Sequence, residues 1–315
     1  MGYQSEAELE NKLIEKLKTQ GYERVLINDY SELENNFREQ LNKFNKKALD
    51  EKPLTDKEFE RVLNILNGKS VLQSAIKLRE KIDFDREDGT KIYLKLLSEN
   101  AEDNIYQVSN QITVQGKYKN RYDVTILING LPLVQIELKR SGIDINEAIN
   151  QIDRYRIHSY RGLFHYIQIY VVSNSVETRY FANTDAQRLL KSLTFYWTTE
   201  TNERINKLED FSSSFFNKTR LLKNITRYMV INETDKNLIV MRPYQIYATE
   251  ALIRHALDTG KNGYIWHTTG SGKTLTSWKC ANLLSKEQNI KKVFFLIDRK
   301  DLDTQTKEEF NKFEK

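Results

Sequence analysis

The sequence predicts an α/β protein in two units, a mixed sheet flanked by helices and then the start of a parallel α/β domain. Helical patterns come before alternating, strand-like segments between residues 105 and 181, which indicates helices around a sheet. Further on, an apolar segment at residues 263–266 leads into a glycine-rich loop and a helical pattern, the order of a parallel strand, turn and helix. We place the two units at residues 1–220 and 221–315.

Length and composition restrict the class of protein. The chain has 315 residues, of which 39% are hydrophobic and 30% charged, which suits a globular protein of two domains. No apolar run approaches the roughly 18 residues of a membrane span, and the N-terminus lacks the pattern of a secretory signal. The single cysteine, Cys280, favours a reducing compartment, so we expect a cytoplasmic protein without membrane contact. The net charge of +5 permits nucleic-acid binding without requiring it.

The N-terminal unit begins with helices. Apolar side chains recur at helical spacing in residues 6–18, and Thr55 has the chemistry of a helix cap. Asp88 and Gly89 mark a turn. The elements predicted are further helices at 33–46, 56–67, 70–81 and 145 to about 160, strands at 105–114, 166–172 and 177–181, and a connection between domains at 198–220.

A predicted hairpin carries the most informative side chains. Asn129 and Gly130 are a strong turn signal between two apolar runs. Folding the strands about residue 130 places Asp123 opposite Glu137, to within one residue, with Cβ atoms about 5 Å apart. Two carboxylates so close repel each other unless they share a proton or a cation, and oxygen ligands suit a hard divalent ion. Because side chains alternate along a strand, Lys139 lies on the same face as Glu137, beside that ion.

The helix after the hairpin adds two polar side chains. Gln151 and Tyr155 are four residues apart and therefore share one helix face. A lone Glu-x-Lys triplet on a strand is usually a solvated surface. The opposed aspartate and the helix that follows make the functional interpretation the stronger one.

These residues resemble the PD-(D/E)xK nuclease core, in the version found in the motor and nuclease (R) subunit of Type I restriction enzymes. Those that carry the resemblance are Asp123, Glu137, Lys139, Gln151 and Tyr155. The chain departs from the pattern at Tyr122, where the family name has proline. The resemblance implies Mg²⁺-dependent hydrolysis of DNA phosphodiesters.

The resemblance also implies a role for each residue. Asp123 and Glu137 would hold Mg²⁺ together with the carbonyl of Leu138, and the ion would activate water and polarise the phosphate. Lys139 would stabilise the developing charge or orient the water.

Two further sets of residues are implied at this site. Gln151 and Tyr155 would position DNA or the water. An acid from the first helix joins the site in related folds, and Glu6 and Glu10 are both candidates.

A second motif, His-Thr-Thr-Gly-Ser-Gly-Lys-Thr, occupies residues 267–274. Gly270 and Gly272 would let backbone N–H groups wrap a polyphosphate, at a helix N-terminus that favours anions. Lys273 would bridge the terminal phosphates and Thr274 would hold Mg²⁺. The motif therefore predicts an ATP site.

The second motif resembles the Thr-Gly-Ser-Gly-Lys-Thr loop of superfamily 2 helicases, which have RecA-like motor domains. His267 stands where the strict phosphate-loop pattern has glycine. Residues 242–245, Arg-Pro-Tyr-Gln, resemble the Q-motif of those enzymes, whose glutamine reads adenine. Residues 291–297 are predicted to be the next parallel strand, and residues 298–302 resemble motif Ia, a DNA-backbone contact. The expected nucleotide-binding residues are Arg242, Gln245, Gly270, Ser271, Gly272, Lys273 and Thr274.

Together the two motifs resemble an R subunit, with an endonuclease domain and linker at residues 1–220 and an incomplete RecA-like ATPase domain at residues 221–315. An ATPase also needs a Walker B acid pair and an arginine finger, which these residues do not supply, so we expect no ATP-driven translocation from them alone. The resemblance implies double-stranded DNA, a methyltransferase (M) subunit and a specificity (S) subunit as partners.

Two other interpretations remain open. One is a DNA-translocating or DNA-binding motor module of a related restriction or repair complex whose nuclease-like domain is inert; it predicts that Asp123→Ala leaves restriction intact. The other is a related nuclease-helicase, such as a Type III or single-chain restriction enzyme or a RecB-like repair enzyme. The order of nuclease before motor argues against the repair enzymes.

Overall fold

The computed structural model describes residues 5–115, 119–189, 191–232, 234–296 and 307–313. The helices are α1 (Glu6–Thr19), α2 (Tyr30–Phe44), α3 (Asp56–Leu66), α4 (Val71–Arg79), α5 (Ile145–His158), α6 (Leu208–Phe215), α7 (Lys218–Thr226), α8 (Pro243–Thr259) and α9 (Lys273–Leu284). The strands are β1 (Glu23–Arg24), β2 (Lys81–Asp85), β3 (Lys91–Lys95), β4 (Tyr106–Gln115), β5 (Lys119–Ile128), β6 (Leu131–Leu138), β7 (Ile169–Ser173), β8 (Thr178–Ala182), β9 (Trp197–Thr198), β10 (Arg204–Ile205), β11 (Met229–Asn232) and β12 (Asn237–Val240).

The central feature is a six-stranded mixed sheet in the order β1-β4-β5-β6-β7-β8. Strands β4, β5 and β6 are antiparallel, whereas β6 and β7 are parallel. A parallel pair needs a crossover connection, and α5 supplies it. Every residue of β6 is buried, as expected for a strand covered on both faces. The predicted mixed sheet flanked by helices is confirmed.

The predicted helices form close to their expected positions because their first turns are capped. Ser5 and Glu8 form a capping box at the start of α1, and Thr55 and Glu58 form one at α3. The helix predicted from residue 33 begins three residues earlier, because the Asp29 side chain accepts the N–H of residue 32.

Two parts of the N-terminal unit were not fully predicted. The turn at Asp88 and Gly89 joins β2 and β3 into a separate hairpin. The predicted connection at residues 198–220 contains α6 and the start of α7. Those helices form because Phe215 is fully buried against Trp197 and Phe211 is fully buried against Phe215.

The predicted strands at residues 263–266 and 291–297 are wrong for the described residues, which have no strand conformation at 263–266 or 291–296. Their apolar side chains are exposed, Tyr264 by 85% and Phe294 by 86%. Parallel strands are stable only when neighbours supply a ladder and cover both faces. No strand within the described residues pairs with either segment. The segment predicted to be motif Ia, residues 298–302, lies outside the described residues.

Side-chain contacts join the predicted units across residue 220. The guanidinium of Arg220 forms two hydrogen bonds with Glu250 of α8, at 2.8 and 3.2 Å. The Tyr180 hydroxyl of β8 donates to the carbonyl of Met241 at 3.0 Å. The division at residue 220 stays a prediction. Within the part of the chain that the structure describes, no helix has the length and apolar character needed to span a bilayer.

Candidate active site

A β-bulge sets the register of the site hairpin. Ile128 lies opposite Leu131 across the two-residue turn, a register that by itself would place Asp123 opposite Ile136. The register shifts by one residue between Ile126 and Leu127, which leaves an extra residue, Leu133, on β6.

The consequence of the bulge is that the two predicted acids share a face. Beyond it, Val124 pairs with Ile136, so the next position brings Asp123 opposite Glu137. Directly opposed residues of a sheet project to the same side. Without the bulge Asp123 would lie opposite the core residue Ile136; with it, Asp123 lies opposite Glu137.

The predicted triplet makes close polar contacts around that pair. The backbone N–H of Leu138 donates to Asp123 Oδ2 at 2.7 Å. The Lys139 ammonium lies 3.4 Å from Glu137 Oε1 and 3.2 Å from the carbonyl oxygen of Leu138. Glu137 is fully buried, and its Oε2 has no hydrogen-bond partner among the described residues. One oxygen of this buried carboxylate thus receives no N–H or O–H donor, while the two carboxyl groups lie within hydrogen-bonding reach of each other.

Burial disfavours charge on both acids. It raises the pKa of Asp123 to about 6, against the opposing effects of the Leu138 N–H and the Lys139 ammonium. Burial and the neighbouring Asp123 charge raise the pKa of Glu137 well above its usual range. Since one lysine faces two opposed carboxylates, the pair has a deficit of positive charge that a proton or a cation can fill.

Of the two candidate acids on α1, Glu10 is the one whose charge acts on the pair. Glu10 is buried, and its negative charge contributes to the raised pKa of Asp123. Its carboxylate accepts hydrogen bonds from Gln111 Nε2, at 2.6 Å to each oxygen, and from Asn110 Nδ2 at 3.3 Å. Glu6 instead accepts the backbone N–H of residue 140 at 3.4 Å, in an exposed position.

Gln111 is a residue that the sequence did not single out. It lies on β4 in the left-handed region with φ of 61°, a conformation that costs a non-glycine residue about 1–3 kcal/mol. A glutamine in an alternating strand pattern is ordinary, so no signal in the sequence could have identified it.

Gln151 and Tyr155 are brought together on α5. Gln151 Nε2 donates to the Tyr155 hydroxyl at 2.5 Å, and that hydroxyl donates to the carbonyl of Arg121 at 3.4 Å. The Tyr155 ring packs edge-to-face on Tyr122, with centroids 4.9 Å apart. Burial, and then the charge of Glu137, raise the pKa of Tyr155. Across the described residues neither side chain hydrogen-bonds to the carboxylate pair.

The donor set for a metal ion is small. In the described parts of the chain, no three histidine, cysteine, aspartate or glutamate side chains form a cluster that could hold an ion. The oxygen donors at the pair are therefore Asp123, Glu137 and the carbonyl of Leu138. Carboxylate and carbonyl oxygens suit Mg²⁺, which commonly keeps several waters.

The predicted phosphate loop is held by the Q-motif segment. The Tyr244 hydroxyl and Gln245 Nε2 both donate to the carbonyl of Ser271, at 2.7 and 3.1 Å. Gln245 Oε1 accepts the backbone N–H of Arg242 at 3.0 Å. Both ends of the Gln245 amide are thus engaged, and the side chain joins the phosphate loop to the start of α8.

The loop itself has the backbone that its glycines predict. Gly270 and Gly272 have φ of 75° and 79°, and α9 begins directly at Lys273. The exposed Lys273 ammonium donates to the carbonyl of Thr268 at 3.2 Å. Thr274 lies in the first turn of α9.

The loop borders an open cleft of about 700 Å³ on the side of α8. His267 and Arg242 both line it. Burial and the nearby Lys273 charge lower the pKa of His267, whose Nδ1 lies 3.1 Å from Ser271 Oγ. The Arg242 guanidinium stacks over the Phe195 ring, 4.9 Å from its centroid.

Comparisons with known proteins agree with the two motifs. Residues 3–189 match the family model described as Type I restriction enzyme R protein N terminus. Residues 244–315 match the model described as SWI2/SNF2 ATPase.

Sequence similarity to curated relatives extends over all or most of the chain. The Type I restriction enzyme SauCOLORF180P endonuclease subunit of Staphylococcus aureus (strain COL) is 58% identical over 100% of this chain and 34% of its own length. The EcoprrI endonuclease subunit of Escherichia coli is 41% identical over 80% of this chain and 82% of its own length. The chain thus spans about a third of the length of the staphylococcal relatives.

Proposed function

Because this chain belongs to the Type I restriction enzyme R protein N terminus family, we propose that it supplies the Mg²⁺-dependent nuclease site of a Type I restriction enzyme. The reaction is hydrolysis of DNA phosphodiesters. The observation that carries the proposal is the buried pair of opposed carboxylates, Asp123 and Glu137, with Lys139 alongside.

The residues present fit a magnesium ion. Glu137 Oε2 is a buried oxygen to which no described residue donates a hydrogen bond. Burial raises the pKa of both carboxyl groups, and a bound cation would offset that cost. The Lys139 ammonium contacts Glu137 Oε1 and the Leu138 carbonyl. Asp123, Glu137 and that carbonyl would hold the ion. When bound, Mg²⁺ would lower the pKa of water and polarise the phosphate.

The side chains around the ion site have separate tasks in this proposal. Lys139 stabilises the negative charge that develops on the phosphate, because its ammonium is mostly buried and therefore weakly screened. Gln151 and Tyr155 position DNA or a water, since the Tyr155 hydroxyl accepts the Gln151 amide and donates to the carbonyl of Arg121 on the strand that carries Asp123.

Residues 221–315 are proposed to begin a RecA-like motor domain that binds ATP. The loop from Gly270 to Thr274 would receive the phosphates, with Lys273 bridging them and Thr274 holding Mg²⁺. Arg242 and Gln245 complete the nucleotide site, Gln245 through its contact with the loop. Support comes from the SWI2/SNF2 ATPase match over residues 244–315.

The proposed partners are double-stranded DNA and the M and S subunits of a restriction complex in the cytoplasm. The whole relatives are named as Type I restriction enzyme endonuclease subunits, which supports assembly into such a complex. In this proposal cleavage is coupled to ATP-driven translocation by the complete subunit.

The test is a crystal structure of the protein soaked with Mn²⁺ and recorded for anomalous scattering. The expected result is a peak bound by Asp123 and Glu137, at oxygen distances of roughly 2.0–2.3 Å. Carboxylates that diverge to solvent, with no peak at millimolar Mn²⁺, would overturn the nuclease proposal. The chain would then be better described as part of a DNA motor with an inert nuclease-like domain.

A second test uses the complete subunit assembled with its partners. Asp123→Ala is expected to abolish DNA cleavage and to leave ATP hydrolysis unchanged. Restriction that survives Asp123→Ala would favour the inert domain.

A further inference from the structure

We infer that Gln111 is a positioning residue, which holds the Glu10 carboxylate beside the proposed metal site. The inference rests on the proposed function and adds a residue to it. The β4 residues on either side of Gln111 pair with the β5 residues on either side of Asp123. Gln111 therefore lies on β4 at the position next to Asp123 on β5, and its side chain contacts Glu10 of α1.

The contact between Gln111 and Glu10 is specific in its geometry. The side-chain Nε2 donates to both oxygens of Glu10 at 2.6 Å, which fixes the plane of the carboxylate. Within the described residues no lysine or arginine forms a salt bridge with Glu10. A buried carboxylate is thus held by side-chain amides, from Gln111 and the neighbouring Asn110, that leave its negative charge uncompensated.

The backbone of Gln111 supports a role beyond packing. Its φ of 61° takes a non-glycine residue out of the regular ladder in the middle of a strand. Strained residues of this kind persist where the surrounding structure needs a particular side-chain direction, and they cluster at functional sites. Here the direction gained is the one that brings the amide to Glu10.

The far end of the same amide is also informative. Gln111 Oε1 is buried and has no partner among the described residues. A buried acceptor of this kind is commonly satisfied by an ordered water. One end of the Gln111 amide thus donates to Glu10, and the other end is an acceptor that a water can fill.

The expected consequence is electrostatic. The Glu10 charge adds to the attraction of the Asp123–Glu137 pair for a divalent cation, and Gln111 keeps that charge in place. Partners that orient groups around a metal site commonly change metal affinity 10–100-fold when they are removed. We expect an effect of about tenfold for Gln111.

The experiment is a calorimetric Mn²⁺ titration of the 315-residue protein and its variants. Asp123→Asn defines the binding that belongs to the site. Gln111→Leu keeps a side chain at the strained backbone position and removes the amide, whereas Gln111→Gly removes the amide and relieves the strain. Lys236→Gly is the matched control, since Lys236 has φ of 52° at an exposed turn away from the site.

The expected result is that Gln111→Leu and Gln111→Gly weaken Mn²⁺ binding about tenfold, whereas Lys236→Gly leaves it unchanged. Glu10→Gln should weaken binding by a similar factor. The double variant Glu10→Gln with Gln111→Leu should lose no more than Glu10→Gln alone, because Gln111 acts through Glu10. The melting temperature of Gln111→Gly should not fall below that of Gln111→Leu, because glycine relieves the strain.

Two outcomes would overturn the inference. If both Gln111 variants bind Mn²⁺ within twofold of the parent while Asp123→Asn does not bind, Gln111 has no positioning role and the proposed nuclease site stands. If the parent protein shows no Mn²⁺ binding that depends on Asp123, the proposed metal site and this inference fall together.

Discussion

The hairpin site and the phosphate loop, both proposed to act on phosphate groups, differ in how far the protein encloses them. Glu137 is fully buried in a strand that has neighbours on both sides, and a β-bulge fixes its register. Lys273 is exposed, and the segment before its loop has no strand conformation, with Trp266 exposed by 93%. Within the described residues, paired strands hold the acids of the hairpin in a buried position, whereas the phosphate loop is ordered by its glycines, by α8 and by α9, with no strand before it.

The largest expected difference between the two regions is in amide hydrogen exchange. Amides of β5 and β6 should exchange about 10⁴-fold or more slowly than those of residues 261–266, because opening a core strand requires near-global unfolding. Exchange measured by mass spectrometry on the 315-residue protein checks this. Comparable protection in the two regions would mean that residues 261–266 form a paired strand in solution.

The next expected effect is on cleavage by the complete subunit in its complex. Asp123→Asn should reduce DNA cleavage about 10³-fold or more, since a catalytic metal ion contributes several kcal/mol to the transition state. The melting temperature should not fall, because asparagine keeps the shape and removes a buried charge. Asp83→Asn, at an exposed position of β2, is the matched control and should change neither quantity.

Stability should depend on pH through the carboxylate pair when a chelator is present. Burial raises the pKa of Asp123 from 3.8 to about 6, so the folded carboxyl binds a proton more tightly than the unfolded one. The free energy of unfolding should therefore fall as pH rises from about 4 to about 6, by at most about 3 kcal/mol. Urea denaturation of the parent and of Asp123→Asn checks this, since the variant should lack the Asp123 contribution. Parallel pH curves for the two proteins would contradict it.

The enclosure of the hairpin turn predicts a smaller effect on stability. A Cβ at Gly130 would lie 2.7 Å from the Cα of Phe37 on α2, at a φ of 79°. Gly89 has φ of 82° and no atom within 4 Å of such a Cβ. Gly130→Ala should lower the free energy of unfolding by about 3 kcal/mol, and Gly89→Ala by about 1 kcal/mol, the strain of a left-handed alanine. If urea denaturation gives the same loss of unfolding free energy for Gly130→Ala and Gly89→Ala, the turn can shift away from α2 to make room for the methyl group.

The smallest expected effect concerns the loop. A Cβ at Gly272 would lie 2.3 Å from Gln245 Nε2, whereas one at Gly270 would meet nothing within 4 Å. In the complete subunit, Gly272→Ala should weaken ATP binding about tenfold more than Gly270→Ala, a difference of about 1.4 kcal/mol. Titration with a fluorescent nucleotide measures the two affinities. Equal affinities would argue against a role of Gln245 in holding the loop.

Local signals in the sequence predicted most of the N-terminal unit. The cap at Thr55, the Asn129-Gly130 turn and the helix carrying Gln151 and Tyr155 all depend on neighbours close in sequence. The opposed acids were predicted to within one residue of register, because the two-residue turn determines which residues of the hairpin face each other. The remaining error of one residue comes from the bulge, which the sequence does not signal.

The remaining features could not be predicted, for physical reasons. Leu133 is apolar and fits a buried strand whether or not it is an extra residue. The left-handed backbone of Gln111 follows from tertiary contacts, which a single glutamine does not signal. The strand predicted at residues 263–266 has the right composition, but a parallel strand also requires neighbours.

The bulge at Leu133 ties the acid pair to the length of one strand. Deleting Leu133 itself would leave an uninterrupted ladder in which Asp123 still lies opposite Glu137. Straightening the ladder without a deletion would instead bring Ile136 opposite Asp123 and place the two acids on opposite faces of the sheet. Members of the family that lack the bulge should therefore be one residue shorter between the turn and the second acid wherever the acid pair is retained.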